Sequence, residues 1–184
     1  INADVAYIGA EKIKDDGNGG WKLDGYITKP DEGVFAGRNN ITNLTVGSNI
    51  RGISDFAFYG CSTLRSISLA NGLETIGNGA FADCINLENC NIESNANIKA
   101  IGKDAFYNCR SLTSFTTPTG LQALGDSCFE GCTSLQTVDI GGRGDRQVAL
   151  KELGNHLFRG CTSLIKLEFP SNYEESKLDI DMFE

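Results

Sequence analysis

Histidine, methionine and tryptophan occur once each in this 184-residue chain, and proline three times. With His156 as the single imidazole, there is little scope for catalysis that needs such a ring held beside a nucleophile. There is no G-x-G-x-x-G run, no phosphate loop and no H-E-x-x-H pair. No catalytic residue, cofactor or metal site is therefore assigned, and no enzyme is expected. No run of 18 apolar residues exists, so no membrane insertion is expected in this segment. Positive charge is also short: 16 Lys and Arg against 24 Asp and Glu leave a net charge of −8 and a pI near 4.7. That balance argues against nucleic acid, which calls for a basic footprint, and against anionic membrane surfaces. A signal peptide is not visible. The chain opens on Ile1 and not Met, so an upstream segment is expected to have been removed.

What is present is a repeat. Phe35, Phe58, Phe81, Phe106, Phe129 and Phe158 stand 23, 23, 25, 23 and 29 residues apart. Three residues after five of them come Cys61, Cys84, Cys109, Cys132 and Cys161, with Arg38 in the first copy. Apolar positions recur in step, among them Ile53, Ile76, Ile101, Leu124 and Leu153, and Leu44, Ile67, Cys90, Phe115, Val138 and Leu167. A period of this length marks a solenoid, propeller or array. Each unit is too short for four strands, which excludes a propeller blade, and too short for two helices. The alternation in Ser66-Ile67-Ser68-Leu69 reads as a strand with one buried face. One such inner strand per unit predicts a single six-stranded parallel sheet, roughly 24 Å wide at about 4.8 Å per strand. Gly77, Gly102, Gly125 and Gly154 predict a tight bend or positive φ. The Ala-Phe-x-x-Cys segment reads as a short helical turn. His156 aligns with Phe56, Gly79, Asp104 and Ser127 in a variable slot expected to be exposed.

The pattern L-x-x-I-G-x-x-A-F-x-x-C-x-S-L-x-x-I-x-L resembles the BspA-like leucine-rich repeat. It is carried by Leu73, Ile76, Gly77, Ala80, Phe81, Cys84, Leu87 and Ile92. It returns in Leu121, Leu124, Gly125, Phe129, Cys132, Ser134, Leu135, Val138 and Ile140. The resemblance spans about Phe35 to Phe169. It implies an α/β but mostly β repeat solenoid, a curved right-handed leucine-rich-repeat superhelix. It also implies the surface of an anaerobic or host-associated bacterium, or of a parasitic protist, where members are mostly adhesins or binding proteins.

Seven cysteines would ordinarily suggest a disulfide framework in a secreted protein. Five of them share one register and point the same way, whereas a disulfide needs Cβ atoms that approach each other. Cys90 replaces Ile67 and Cys128 replaces Ala80, both core slots. The thiols are therefore read as reduced core residues. Such a column is unusual in an oxidising compartment and easier to accept in an anaerobe.

The domain reading is a capping hairpin over 1–34, repeats over 35–170 and a partial repeat over 171–184. Val5-Ala6-Tyr7-Ile8 and Trp21 to Ile27 are expected to pair across the Asp15 to Gly20 turn and cover the first repeat. Calcium does not fit that turn, which lacks the EF-hand spacing. Ser94-Asn95-Ala96-Asn97 and Gly141 to Gln147 lengthen two connections and should protrude on one rim. Met182-Phe183 falls in the Ala80-Phe81 slot.

Alternation about the inner strands turns outward Asn43 and Thr45, Ser66 and Ser68, Asn89 and Asn91, Ser114 and Thr116, Thr137 and Asp139, and Lys166 and Glu168. This polar ladder is the candidate binding face. Arg143-Gly144-Asp145 matches the integrin-recognition tripeptide inside a glycine-flanked insertion. Asn40-Ile41-Thr42 and Asn43-Leu44-Thr45 match the glycosylation acceptor, which matters only in a eukaryotic source. The expected function is a non-catalytic adhesion or binding module, extracellular or on the cell surface, for a host protein or glycan. The alternatives are a structural spacer or intracellular scaffold, and an accessory domain of a larger protein.

Overall fold

The computed structural model describes residues 7–8, 11–15, 21–26, 35–48, 50–69, 71–92, 94–140, 150–170, 173 and 180–183, the first three ranges and Ile180 by backbone alone. The chain begins with β1 (Tyr7–Ile8), β2 (Glu11–Asp15) and β3 (Trp21–Tyr26). A longer and a two-residue strand then alternate through β4 (Asn43–Val46), β5 (Gly52–Ile53), β6 (Ser66–Leu69), β7 (Thr75–Ile76), β8 (Asn89–Asn91) and β9 (Ala100–Ile101). The alternation continues through β10 (Ser114–Thr116), β11 (Ala123–Leu124), β12 (Thr137–Asp139), β13 (Glu152–Leu153) and β14 (Lys166–Glu168). A 3-10 turn follows at Ile180–Met182. The solenoid is mostly β, as expected, and no α-helix occurs among the described residues.

The two-residue strands build one parallel sheet in the order β1-β5-β7-β9-β11-β13. Its register places Ile53, Ile76, Ile101, Leu124 and Leu153 side by side. The longer strands do not form the single sheet of six that the repeat predicts. They form two parallel sheets of three, β4-β6-β8 and β10-β12-β14. Two local features coincide with the break. The two-residue lengthening at Ser94 to Asn97 falls in the connection leaving β8. The neighbours across the break are also unequal in size. Cys90 is the smallest residue of its column and only partly buried, whereas the Phe115 ring turns edge-on to Phe106 and Phe129, at 5.1 and 4.6 Å.

The N-terminal pairing also departs from expectation. β2 and β3 are antiparallel, from Asp15 opposite Trp21 to Glu11 opposite Tyr26. Tyr7–Ile8 instead pairs in parallel with Gly52–Ile53 and forms the edge of the short-strand sheet. A hairpin recruits the strands that abut its turn, and Glu11–Asp15 lies nearer to that turn than Val5 to Ile8.

The Ala-Phe-x-x-Cys segments are runs of β-turns and not helical turns. The N–H groups of Phe56, Phe58 and Gly60 donate to the carbonyls of Asn78, Ala80 and Ala82 one rung on, each at 2.8 Å. Those of Ala57, Tyr59 and Cys61 donate instead to Ser54, Phe56 and Phe58 within the same rung. Every second amide can face the next rung because the backbone is left-handed at Phe56 (φ 56°) and at Gly60 (φ 66°). His156 lies in this left-handed slot at φ 54°, and Ser127 at φ 51°. The slot is buried or partly buried in all five rungs, not exposed as its variability implies.

Gly77, Gly102, Gly125 and Gly154 are not left-handed. They are glycines because rungs touch there. A Cβ on Gly125 would lie 2.3 Å from the Lys103 nitrogen, and one on Gly154 2.2 Å from that of Asp126. Met182 is buried, and its carbonyl accepts the Phe158 N–H at 2.7 Å, as Ala80 accepts that of Phe58.

The core is a column of rings. Phe35, Phe58, Phe81, Phe106, Phe129 and Phe158 stack in order, with centroids 5.0, 5.4, 5.5, 5.7 and 5.9 Å apart and planes within 14° of parallel. Each such pair adds roughly 0.5–1.5 kcal/mol beyond the burial of its surface.

Candidate binding face

All seven cysteines are free thiols. The column cysteines each reach one rung back. Cys61, Cys84, Cys109, Cys132 and Cys161 donate Sγ–H to the carbonyls of Phe35, Phe58, Phe81, Phe106 and Phe129 at 3.0–3.3 Å. The same carbonyls also accept a turn N–H, from Arg38, Cys61, Cys84, Cys109 and Cys132. Cysteine is thus the small apolar residue that still supplies a donor to a buried carbonyl's second lone pair. Burial raises every one of these thiols above the ordinary 9.0. They stay protonated near neutral pH, which makes them poor nucleophiles and poor metal ligands. No group of three or more His, Cys, Asp or Glu side chains placed to hold a metal occurs among the described residues.

The strands that carry the polar ladder alternate as expected. Leu44, Ile67, Phe115 and Val138 point into the core, and Asn43, Thr45, Ser68, Asn89, Asn91 and Ser114 are exposed. Ser66, Thr116, Thr137 and Asp139 are partly buried on the same face, and Lys166 and Glu168 are exposed. The two columns differ. In the first, Ser66 Oγ donates to Asn43 Oδ1 at 2.6 Å, and Asn43 Nδ2 donates to Thr42 Oγ1 at 3.2 Å. In the second, Thr45, Ser68 and Asn91 have no side-chain partner among the described residues. Charge enters only in the C-terminal half, through Asp139 and through Lys166, which pairs with Glu168 at 3.0 Å. Beside the ladder, Arg65 bridges to Glu88 at 2.7 Å across one rung.

The rim is described only in part. Asn97 Nδ2 donates to the Asn71 carbonyl, and Asn95 is fully buried, so the Ser94 to Asn97 insertion folds back against its neighbour. The Arg143-Gly144-Asp145 tripeptide lies outside the described residues. Both glycosylation-type asparagines, Asn40 and Asn43, are exposed.

Alternation along the strands could not reveal a second surface on the turn segments. Tyr59 is 40% exposed there, set edge-on to Phe56 at 6.2 Å. A hydrogen bond to Asp83, and the charge of that carboxylate, hold the Tyr59 hydroxyl above its ordinary value. Burial raises the carboxyl of Asp104, opposed by Lys103 and reinforced by the negative charges of Glu130 and Asp126. The signal in the sequence was the position after the column Phe, which holds Tyr59, Tyr107, Glu130 and Arg159 in four copies and Ala36 and Ala82 in the other two.

With this geometry in place, the repeat can be compared with known proteins. The BspA type leucine-rich repeat region matches residues 28–146 and 145–180, in six copies. The chain belongs to the BspA-type leucine-rich repeat family. This family and its fold are generally non-catalytic, and leucine-rich repeat proteins often bind other proteins. The solenoid is similar to a leucine-rich repeat protein of T. pallidum, at 22% identity and a TM-score of 0.60, over 88% of this chain and 81% of that one. It is similar to a leucine-rich cell surface protein of Faecalibacterium prausnitzii, at 20% identity and 0.59, over 92% of this chain and 48% of that one. It also resembles the pneumococcal vaccine antigen PcpA, at 23% identity and 0.65, over 80% of this chain and 35% of that one. At these identities the likeness establishes the fold. The chain spans less than half the length of the last two. No curated protein matches it. No helix among the described residues is long and apolar enough to cross a membrane.

Proposed function

We propose that this BspA-type repeat is a non-catalytic binding and adhesion module at a bacterial cell surface, recognising a host protein or glycan through the ladder face and its rim. The observation that carries the reading is the second ladder column. Thr45, Ser68 and Asn91 present hydroxyl and amide groups one rung apart, with no side chain among the described residues engaging them. Such a row suits an extended polar chain whose groups recur along its length. The cell-surface assignment of the Faecalibacterium protein supports the location. The proposed division is a cap over 1–34, repeats over 35–170 and a partial repeat over 171–184. Cofactors, nucleic acid and membrane insertion have no part in it.

The seven free thiols favour one second reading, an intracellular scaffold or spacer. Finding an export signal at the start of the full-length protein would end that version.

The test is a panel of matrix proteins and glycans probed with the purified protein, followed by Ser68→Arg and Asn91→Arg. These exposed changes should leave the fold intact and weaken a bound ligand by at least about tenfold. Unchanged binding by both variants would remove the ladder from the site. Arg143→Ala or Asp145→Ala should abolish attachment to integrin-bearing cells if the tripeptide contributes.

A further inference from the structure

We propose that Asn71-Gly72 is a site of spontaneous chemical modification on the rim, and that the neighbouring Asn78-Gly79 is protected by the fold. Both pairs have the asparagine-glycine sequence, in which an unhindered glycine nitrogen can reach the preceding side-chain amide. The Gly72 nitrogen attacks Cγ of Asn71, the Cγ–Nδ2 bond breaks, and ammonia leaves with the proton from the glycine amide. Water then opens the succinimide at either carbonyl and yields aspartate or isoaspartate.

The two sites differ in the freedom of both reacting groups. Asn71 lies exposed in a turn, its side chain has no partner among the described residues, and neither has the Gly72 N–H. At the other pair, Asn78 Nδ2 donates to Asp55 Oδ2 at 3.3 Å, and Asn78 Oδ1 accepts the Lys103 N–H at 2.9 Å. The Gly79 N–H is committed to the Lys103 carbonyl at 2.8 Å, and Gly79 is fixed in the left-handed corner at φ 57°. Ring closure at Asn78 requires these bonds to open first, whereas closure at Asn71 breaks none of them.

The product matters to the rim. Conversion adds a negative charge beside Arg51, whose guanidinium donates to the Gly72 carbonyl at 3.5 Å. Isoaspartate also inserts an extra backbone carbon where Gly72 packs on the rung before it, with the Ser48 carbonyl 1.8 Å from an ideal Cβ position. Asn71 further offers its own carbonyl to Asn97 of the Ser94 to Asn97 insertion, so the change disturbs two adjoining rungs.

The experiment ages the folded protein at mildly alkaline pH and follows the amide-to-acid mass gain by peptide mapping. Peptides are read separately, which keeps Asn18-Gly19, outside the described residues, out of the comparison. Asn71 should convert at least about tenfold faster than Asn78, the factor set by one hydrogen bond of ordinary net worth. In urea the two rates should converge. Asp55→Ala, checked to be folded, should raise the rate at Asn78, and Asn71→Gln should remove the fast site. Equal rates in the folded protein, faster conversion at Asn78, no conversion at Asn71, or an unchanged Asn78 rate in folded Asp55→Ala would each overturn the proposal.

Discussion

Raising the pH should unfold this protein through its cysteines. All seven thiols are shifted above the ordinary 9.0 of an exposed thiol, with burial the largest cause in each. Cys161, near one end of the column, is pushed up to about 11. The unfolded chain therefore loses its thiol protons at lower pH than the folded one. Stability from these groups is complete below 9 and declines as pH climbs toward the folded values. Each protonated core thiol costs about 1.4 kcal/mol per pH unit in that window. Summed over several buried thiols, the loss becomes a large part of the whole stability of an ordinary domain. The assay is urea denaturation under reductant at stepped pH, from about 8 to about 10. Cys109→Ala with Cys132→Ala removes two fully buried thiols. That variant should start less stable and lose about 2.7 kcal/mol per pH unit less than the wild type. Wild-type stability that stays flat across this range, or the same slope in the variant, would refute the reasoning.

Other perturbations follow from the same contacts. Phe106→Ala removes a ring that stacks on Phe81 and Phe129 and meets Phe115 edge-on, and should cost about 3–5 kcal/mol by urea denaturation. Gly125→Ala drives a methyl into the Lys103 backbone and should cost at least about 1–3 kcal/mol, the usual range for overpacking. Gly47→Ala meets nothing within 4 Å, at a φ outside the left-handed region, and should stabilise by about 0.4–1 kcal/mol. Opposite signs for the two glycines in thermal melts are the expected result.

The period, the ring column and the buried thiols were legible because each follows from one residue type recurring in one register. Phe81 above Phe58 needs only that rungs stack. Other features depend on what a single register cannot show. The left-handed slot holds Phe56, Gly79, Asp104, Ser127 and His156, types with no shared chemistry, because its backbone is set by amides facing the next rung. Variable side chains there made a constrained position look like a free one. Gly77 and its equivalents invite a reading from φ, yet they answer to the distance between rungs. The break between β8 and β10 coincides with the contrast between Cys90 and Phe115, two letters that each fit the pattern alone.

The candidate site divides along the same line. Period-two alternation selects which residues of the ladder face outward, and the described strands place them so. It does not say which of them satisfy one another. Ser66 and Asn43 are engaged with each other at 2.6 Å, and Lys166 with Glu168 at 3.0 Å. A ligand reaching those positions must first displace a bond the protein already makes, whose net worth is about 0.5–1.5 kcal/mol. Thr45, Ser68 and Asn91 carry no such cost, so substitutions in the second column of the N-terminal half should weaken binding more than those in the first.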